Sequence, residues 1–362
     1  MNTWRVGARK HTPMGTHKSR KDQHIDICLT ENIDYSKTCH CEGNPFDQWH
    51  LDHDALPELN LENLQTKCIF LDIQLSAPLL IGSMTGGTVR AAEINHRLFE
   101  AAASCQIGVS LGSQRSLAEG TSCMSDFIPK ALSKRPPLVF SNLGAVQLNY
   151  GVTLKHIQRI IELTQCDAFI FHLNPLQEAI QPEGNTDFSG LAQKLENIIP
   201  QVPVPVFIKE VGAGFSLATL KKLESLSLAG IEIAGQGGTS WARIEGLRSK
   251  KGCNRKLGEL FASWGQPTIE SLIACRKLFP QKLIIASGGI RNGIDIAKSI
   301  VLGADMAALA LPFLQAASES TEAVIQLIEQ LKQELRVAMF VTGAQDILDL
   351  KKKKISCHRE ER

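Results

Sequence analysis
No run of 18 apolar residues occurs anywhere in the 362-residue chain, so the sequence offers no ordinary membrane-crossing helix. Its opening residues lack the apolar core of a secretory signal. They mix Arg5, Arg9, Lys10 and Lys18 with glycine, threonine and proline, and hold no acid. A soluble, cytoplasmic protein is the expectation. Net charge is scarce as well: 39 Lys+Arg against 37 Asp+Glu leave +2, too little to draw the chain to nucleic acid or an anionic membrane surface. The ten cysteines are scattered, mostly inside apolar segments, and read as free thiols rather than a disulfide framework. Two further absences bear on chemistry. No histidine lies between His172 and His358, and no dinucleotide-type GxGxxG follows the first apolar run.

What the chain does have is a large apolar fraction, 43%, with 28 glycines and 15 prolines, enough for one large domain with a full core. From residue 78 onward short apolar runs recur at 79–82, 107–111, 138–141, 168–171, 204–208, 230–233, 283–286 and 306–310. Segments of helical periodicity lie between them, for example 91–104, 154–164, 217–226 and 294–302. Eight such units predict an α/β fold, a (β/α)8 TIM barrel. Residues 318–341 read as a long amphipathic helix. Residues 1–19 are expected to be a flexible basic tail, 20–345 a single cofactor-binding barrel domain, and 346–362 a charged C-terminal tail, frayed from Lys351. The first 60 residues are too polar for a core of their own, so they are expected to form an arm over the C-terminal face of the barrel. Within that arm Cys39, His40 and Cys41, with His50 and His53, are metal-ligating types, but their spacing matches no zinc pattern and reads as a loop.

In such a barrel the strand ends face the site. Here they carry Ser83, Met84, Thr85 and Gly86; Ser113, Gln114 and Arg115; Asn142; the stretch HLNPLQEAIQPEG at 172–184; Lys209 and Glu210; GQGGTSW at 235–241; SGGIR at 287–291; and Ala310 with Leu311. Six polar groups fall within twelve residues of the fourth end, more than a turn needs for its own hydrogen bonds, although a solvated loop is the plain alternative. The ends of runs six, seven and eight offer backbone N–H groups at glycines and helix starts, a phosphate cradle in barrel register. A phosphate-bearing cofactor fits them, and FMN is the natural candidate. Lys209 is then expected beneath the flavin ring; a structural ion pair with Glu210 or Glu232 is its alternative role. Arg20, Lys21 and His24, close together in RKDQHI, could grip a phosphate, with a solvated charge cluster as the plain alternative.

Taken in order, RKDQHI, SMTGG, SLGSQR, HLNPLQEAIQPEG, FIKEVGAG, GQGGTSW, WGQPT and SGGIRNG resemble the type 2 isopentenyl-diphosphate isomerase family, from about residue 20 to 314. The segment before Arg20 is longer than the family's pattern, and Glu232 stands where an aspartate is common. The resemblance implies an FMN- and Mg²⁺-dependent enzyme that moves the double bond of isopentenyl diphosphate to give dimethylallyl diphosphate without net redox change, its flavin reduced by NADPH. It implies substrate contacts at Arg20, Lys21, Ser113, Gln114, Arg115, His172 and Asn174, the magnesium ligand at Glu178, and Gln177 beside the reacting carbons as the catalytic residue. It implies a flavin cradle of Ser83, Met84, Thr85, Gly86, Ser113, Asn142, Lys209, Thr239, Ser240, Gly288, Gly289, Ile290, Arg291, Ala310 and Leu311. A homo-oligomer, a tetramer or octamer, is the expected assembly.

Two flavin chemistries are disfavoured by what is missing. Oxidation of 2-hydroxy acids on this barrel needs a histidine base near the end of strand seven, and none follows His172 before His358. A nucleotide dehydrogenase or reductase needs a cysteine nucleophile after strand six, where the chain reads GQGGTSW. An idle regulatory barrel would be expected to lose Gln177, Glu178 or the cradle, and all are present.

Overall fold
The structure, a computed structural model, describes residues 19–35, 43–129, 134–250 and 252–357. Eight parallel strands close into a barrel: β1 (Leu79–Ile81), β2 (Gly108–Ser110), β3 (Leu138–Gly144), β4 (Ala168–His172), β5 (Val206–Lys209), β6 (Gly230–Glu232), β7 (Leu283–Ser287) and β8 (Met306–Leu309). Each expected apolar run is a strand. The pairing of β8 with β1 and of β6 with β7 closes the ring. β3 runs three residues beyond its expected end, because Asn142, Leu143 and Gly144 stay paired with Ile170, Phe171 and His172. Asn142 looked like a strand terminus from its polarity alone.

The runs are apolar throughout because both strand faces are covered. Alternate side chains obey the period of two. Leu80, Leu138, Phe140, Ile170, Phe207, Ile285 and Met306 fill the interior, while Ile81, Val139, Phe171, Ile208 and Leu309 pack outward on the helices. A hairpin, Cys68–Phe70 with Ile73–Leu75, sends Phe70 and Leu75 into the interior layer. There Phe70 stacks on Phe207 at 6.0 Å, and Phe207 meets Phe140 edge-on at 5.2 Å. This aromatic layer plugs one end of the barrel, leaving the carboxyl ends of the strands to form a cavity.

The helix expected at 318–341 begins at Thr321, where the Ser320 hydroxyl accepts from the Ala323 amide, and runs to Val341. Its buried stripe of Val324, Ile328, Leu331, Leu335 and Ala338 follows helical spacing. The charged tail expected to fray from Lys351 is tied down as far as Cys357. Asp346 caps a short helix, Ile347–Leu350, and Ile355–Cys357 pairs antiparallel with Trp49–Leu51 of the N-terminal arm. A charged run reads as solvated in one dimension; here strand pairing supplies the backbone partners. The expected tail at 1–18 and the Cys39-His40-Cys41 stretch lie outside the described residues.

The arm does cross the open end of the barrel. Its first element, α1 (Arg20–Thr30), is capped by Ser19, whose hydroxyl accepts from the Asp22 amide. Further along, the Tyr35 amide donates to the Gly238 carbonyl and the Ser240 amide to the Ile33 carbonyl. Asn44 donates to the Gly289 carbonyl, and Lys298 to that of Phe46. These bonds fasten the arm to the loops after β6 and β7.

Candidate active site
A cavity of about 510 Å³ opens at the strand ends beneath α1, within the range of small-molecule sites. At its deep end Lys209, the last residue of β5, stands 3.5 Å from Glu232, the last residue of β6. Its ammonium also donates to the Glu210 carbonyl at 2.7 Å. The Glu210 carboxylate turns away and accepts from the amides of Val211, Gly212, Ala213 and Gly214. Of the two ion pairs anticipated for Lys209, the one with Glu232 forms. Beside it, His172 Nδ1 lies 2.7 Å from Asn142 Oδ1. Burial, helped by the charge of Lys209, pushes this imidazole down to about 3, so it is neutral at physiological pH. Ser83 and Ser110 share a hydroxyl bond at 2.5 Å. Thr85 lines the cavity, and its buried hydroxyl has no hydrogen-bond partner among the described residues.

One wall is backbone. Gly288 and Gly289 sit at φ 98° and 83°, in the left-handed region where glycine is at home. A Cβ on Gly288 would overlap the Gly235 carbonyl oxygen, so the loops after β6 and β7 meet back to back only as glycines. Thr268 ties them from behind, donating to the Gly288 carbonyl at 2.7 Å. Next to them Ala310 caps the nine-residue helix Leu311–Glu319, and its start lines the same cavity. Arg291 leans on the arm, paired with Asp34 through Nη2 and through Nε at 3.2 Å.

The opposite wall is the 172–184 stretch. It is a turn of helix, α2 (Pro175–Ile180), with Asn174 at its N-cap and proline in its first turn. The Asn174 amide donates to Gln177 Oε1 at 3.0 Å and Glu178 Oε1 at 3.1 Å. The other Glu178 oxygen accepts from the Asn185 amide at 2.6 Å. Gln177 Nε2 donates to Glu245 at 3.0 Å. Glu245 belongs to α3 (Trp241–Arg248), which Ser240 caps, and it is wholly buried. His24 Nε2 of α1 approaches it to 3.1 Å and Arg248 to 2.8 Å. With its amide turned so that the nitrogen faces Glu245, Gln181 donates to it at 3.1 Å and accepts from Arg20 at 3.1 Å. Burial alone would raise this carboxyl, yet the close approach of His24 and the hydrogen bonds from Gln177 and Arg248 outweigh that and hold it at about 2.

At the mouth, α1 presents Arg20, Lys21 and His24. Lys21 donates to the Ser113 carbonyl at 3.1 Å and sits over the Phe127 ring. Burial, with the neighbouring charge of Arg20, lowers its ammonium to about 8 against a weaker pull from Asp126. Arg115 bonds Glu119 and Asn185, each at 2.7 Å.

A relative from Nostoc sp., named isopentenyl-diphosphate delta-isomerase, is 44% identical over 336 residues, covering 92% of this chain and 94% of its own. Relatives of the same name from Rickettsia canadensis and Pseudescherichia vulneris are each 41% identical, over 93% and 94% of this chain and 96% and 97% of theirs. The chain belongs to the isopentenyl-diphosphate delta-isomerase family. It is thus an enzyme of that family, as its motifs implied. Residues 178–357 also match the model of the FMN-dependent dehydrogenases, in keeping with the FMN-dependent form of the isomerase family. Among solved structures, a mandelate oxidase variant with (S)-mandelic acid aligns with TM-score 0.63 at 14% identity, over 93% of this chain and 95% of its own. Another mandelate oxidase, with benzoyl-formic acid, gives 0.61 at 16% identity, over 93% and 94%. That likeness is one of fold, the (β/α)8 barrel.

Most residues singled out from the isomerase motifs converge on the cavity: Arg20, Lys21, Ser83, Met84, Thr85, Ser113, Arg115, Asn142, His172, Asn174, Gln177, Glu178, Lys209, Thr239, Gly288, Gly289, Ile290, Arg291, Ala310 and Leu311 all line it. Three stand behind the lining. Gln114 is completely buried, its Oε1 accepting from the Asn142 amide. Gly86 packs so closely on the Phe127 ring that a Cβ there would overlap it. Ser240 caps α3. Glu245 and Asn185 were not legible as site residues: Glu245 sits in an ordinary-looking helical run, where only burial reveals it. His24, expected with Arg20 and Lys21 at a phosphate, and Gln181, one of the six polar groups of the fourth strand end, turn instead to Glu245.

Proposed function
We propose that this chain converts isopentenyl diphosphate to dimethylallyl diphosphate by a 1,3-shift, adding a proton at the terminal alkene carbon and removing one from the carbon on the other side of the tertiary centre, with FMN bound in its reduced form, Mg²⁺ at the diphosphate and NADPH as reductant. Shared identity of 41–44% with relatives named for this activity carries the reading. The site's chemistry supports it. The unpartnered Thr85 hydroxyl and the glycine-walled loops suit FMN, with Ser83, Met84, Thr85, Asn142 and Lys209 at its ring, and Thr239, Gly288, Gly289, Ile290, Arg291, Ala310 and Leu311 toward its phosphate. Gly86 and Ser240 support that cradle from behind. Reduced FMN supplies an electron-rich ring with a protonatable nitrogen.

The chain's own residues do the rest. Arg20, Lys21 and Arg115 bring cationic donors to the mouth, and Ser113 adds a hydroxyl, so the diphosphate sits there. His172 is neutral alone; a diphosphate beside it raises its pKa and makes both ring nitrogens donors. Among the described residues no three His, Cys, Asp or Glu side chains cluster as metal ligands. That suits Mg²⁺, which uses one or two carboxylates and completes its shell with water and phosphate. Glu178 is that carboxylate, aimed by Asn174 and the Asn185 amide. Gln177 is the catalytic residue we place beside the alkene. Its amide is locked at both ends, so it offers a fixed dipole to a developing tertiary cation without a carboxylate to capture it. Gln114 orders Asn142 and the 113–115 turn.

We place the reaction in the cytoplasm, in a homo-oligomer (tetramer or octamer) whose subunit is one domain over residues 20–345. The test is turnover followed by proton NMR on purified protein, oxidised and then reduced anaerobically. The reading expects bound FMN and no isomerisation before reduction. Full activity of oxidised, flavin-free protein would overturn it.

A further inference from the structure
We propose that Asn185 is a positioning residue for the diphosphate site, one that sets the Arg115 guanidinium in place relative to the Glu178 carboxylate. The proposal rests on the reading above, in which both groups meet the diphosphate end of the substrate, and it assigns a residue that no motif named. Asn185 stands half-buried behind the cavity lining, just past the turn that follows α2. Its side-chain Oδ1 accepts from Arg115 Nη1 at 2.7 Å and from Gln147 Nε2 at 3.3 Å. Its backbone amide donates to Glu178 Oε2 at 2.6 Å. Arg115, Gln147 and Glu178 follow the ends of β2, β3 and β4, and all three line the cavity. One residue behind the wall thus holds groups from three strand ends.

A planar guanidinium is fixed when two of its nitrogens are held. Glu119 takes Arg115 Nε at 2.7 Å and Asn185 takes Nη1, while Nη2 makes no hydrogen bond among the described residues. Its donors are left for a ligand oxygen. An arginine already held this way gives up less side-chain entropy when an anion arrives. The Asn185 acceptor is neutral, so it aims the guanidinium without cancelling the charge that attracts a diphosphate. Because the same residue bonds Glu178 through its main chain, the cation and the carboxylate are held at a set separation. Gly184 makes that reach possible. A Cβ on it would overlap the Glu178 carbonyl oxygen, so only glycine lets the chain turn back this closely on α2.

The test is a double-mutant cycle on the full-length protein as purified, titrated calorimetrically with inorganic diphosphate in the presence of Mg²⁺. In Asn185→Ala the dissociation constant should rise at least fivefold. In an Arg115→Ala background the same change should cost less than twofold, since the group that Asn185 aims is gone. Steady-state kinetics of the reduced enzyme should agree, with KM for isopentenyl diphosphate up at least fivefold and kcat within twofold of the parent. Asn185→Leu, close in size and without an acceptor, is read the same way if the alanine variant fails to fold. Unchanged affinity in a folded variant overturns the proposal. So does an equal penalty with and without Arg115, which would make Asn185 a residue that only supports its own turn. A parent that does not bind diphosphate overturns the reading of the cavity mouth beneath it as well.

Discussion

At the scale of single residues, two pairs of groups work by holding one another. Glu245 fixes Gln177, and Asn142 fixes His172. Removing one partner of a buried ionic cluster typically costs about 3–5 kcal/mol, so Glu245→Ala should lower the melting temperature as well as turnover. Glu245→Gln keeps the shape but offers an amide where Gln177 expects an acceptor. Steady-state kinetics on reduced enzyme should show kcat falling at least tenfold with KM within about threefold, and Gln177→Ala should behave alike with FMN binding near normal. A pure KM effect in Gln177→Ala would make that residue a binding contact only. His172 gives a stability signature. Its folded value near 3 lies below the ordinary histidine range near 6.5. The unfolded chain therefore binds the proton first, and stability drains away as pH falls from about 6.5 toward 3. Thermal melts of His172→Gln should fall less steeply across that window than those of the parent. Lys21, lowered to about 8, sheds its charge above that pH in the free enzyme, so the apparent KM for the diphosphate should climb there. Lys21→Arg should flatten that climb. Glu245 shows why part of the site was illegible. In TSWARIEGLR a glutamate looks like a solvated helical position, and only the packing of α1 and α2 against α3 buries it.

At the scale of elements, strand ends were legible because apolar runs stop where the barrel's mouth begins. The end of β3 was not, since Asn142 uses its backbone as strand and its side chain as site. The 172–184 stretch announced its polar cluster, but its shape, a capped turn of helix, depends on Asn174 bonding forward to Gln177 and Glu178. The arm is the element with most to lose. Asp34 of the arm pairs with Arg291 of the β7 loop, half-sheltered from solvent, a setting between exposed and buried pairs worth roughly 1–3 kcal/mol. Asp34→Asn should loosen the arm. Limited proteolysis should cleave between α1 and β1 several-fold faster, and FMN should dissociate faster. Unchanged cleavage would mean the backbone bonds of Tyr35 and Ser240 suffice.

At the scale of the whole molecule, eight repeats and their order announced the barrel, whereas the tie between residues 355–357 and 49–51 was hidden by their distance in sequence. The same barrel carries hydroxy-acid oxidation in its structural neighbours. What separates this chain is that no histidine follows His172 before His358, while a locked neutral amide stands at the end of β4. The reaction proposed above is a proton shift on a reduced flavin with no net electron transfer. The most direct measurement is anaerobic turnover of isopentenyl diphosphate in D₂O by the reduced, Mg²⁺-loaded enzyme, with product followed by NMR and flavin by absorbance. Dimethylallyl diphosphate carrying deuterium is expected over many turnovers, with the flavin still reduced at the end. Flavin reoxidised in step with product, or product without solvent deuterium, would contradict it.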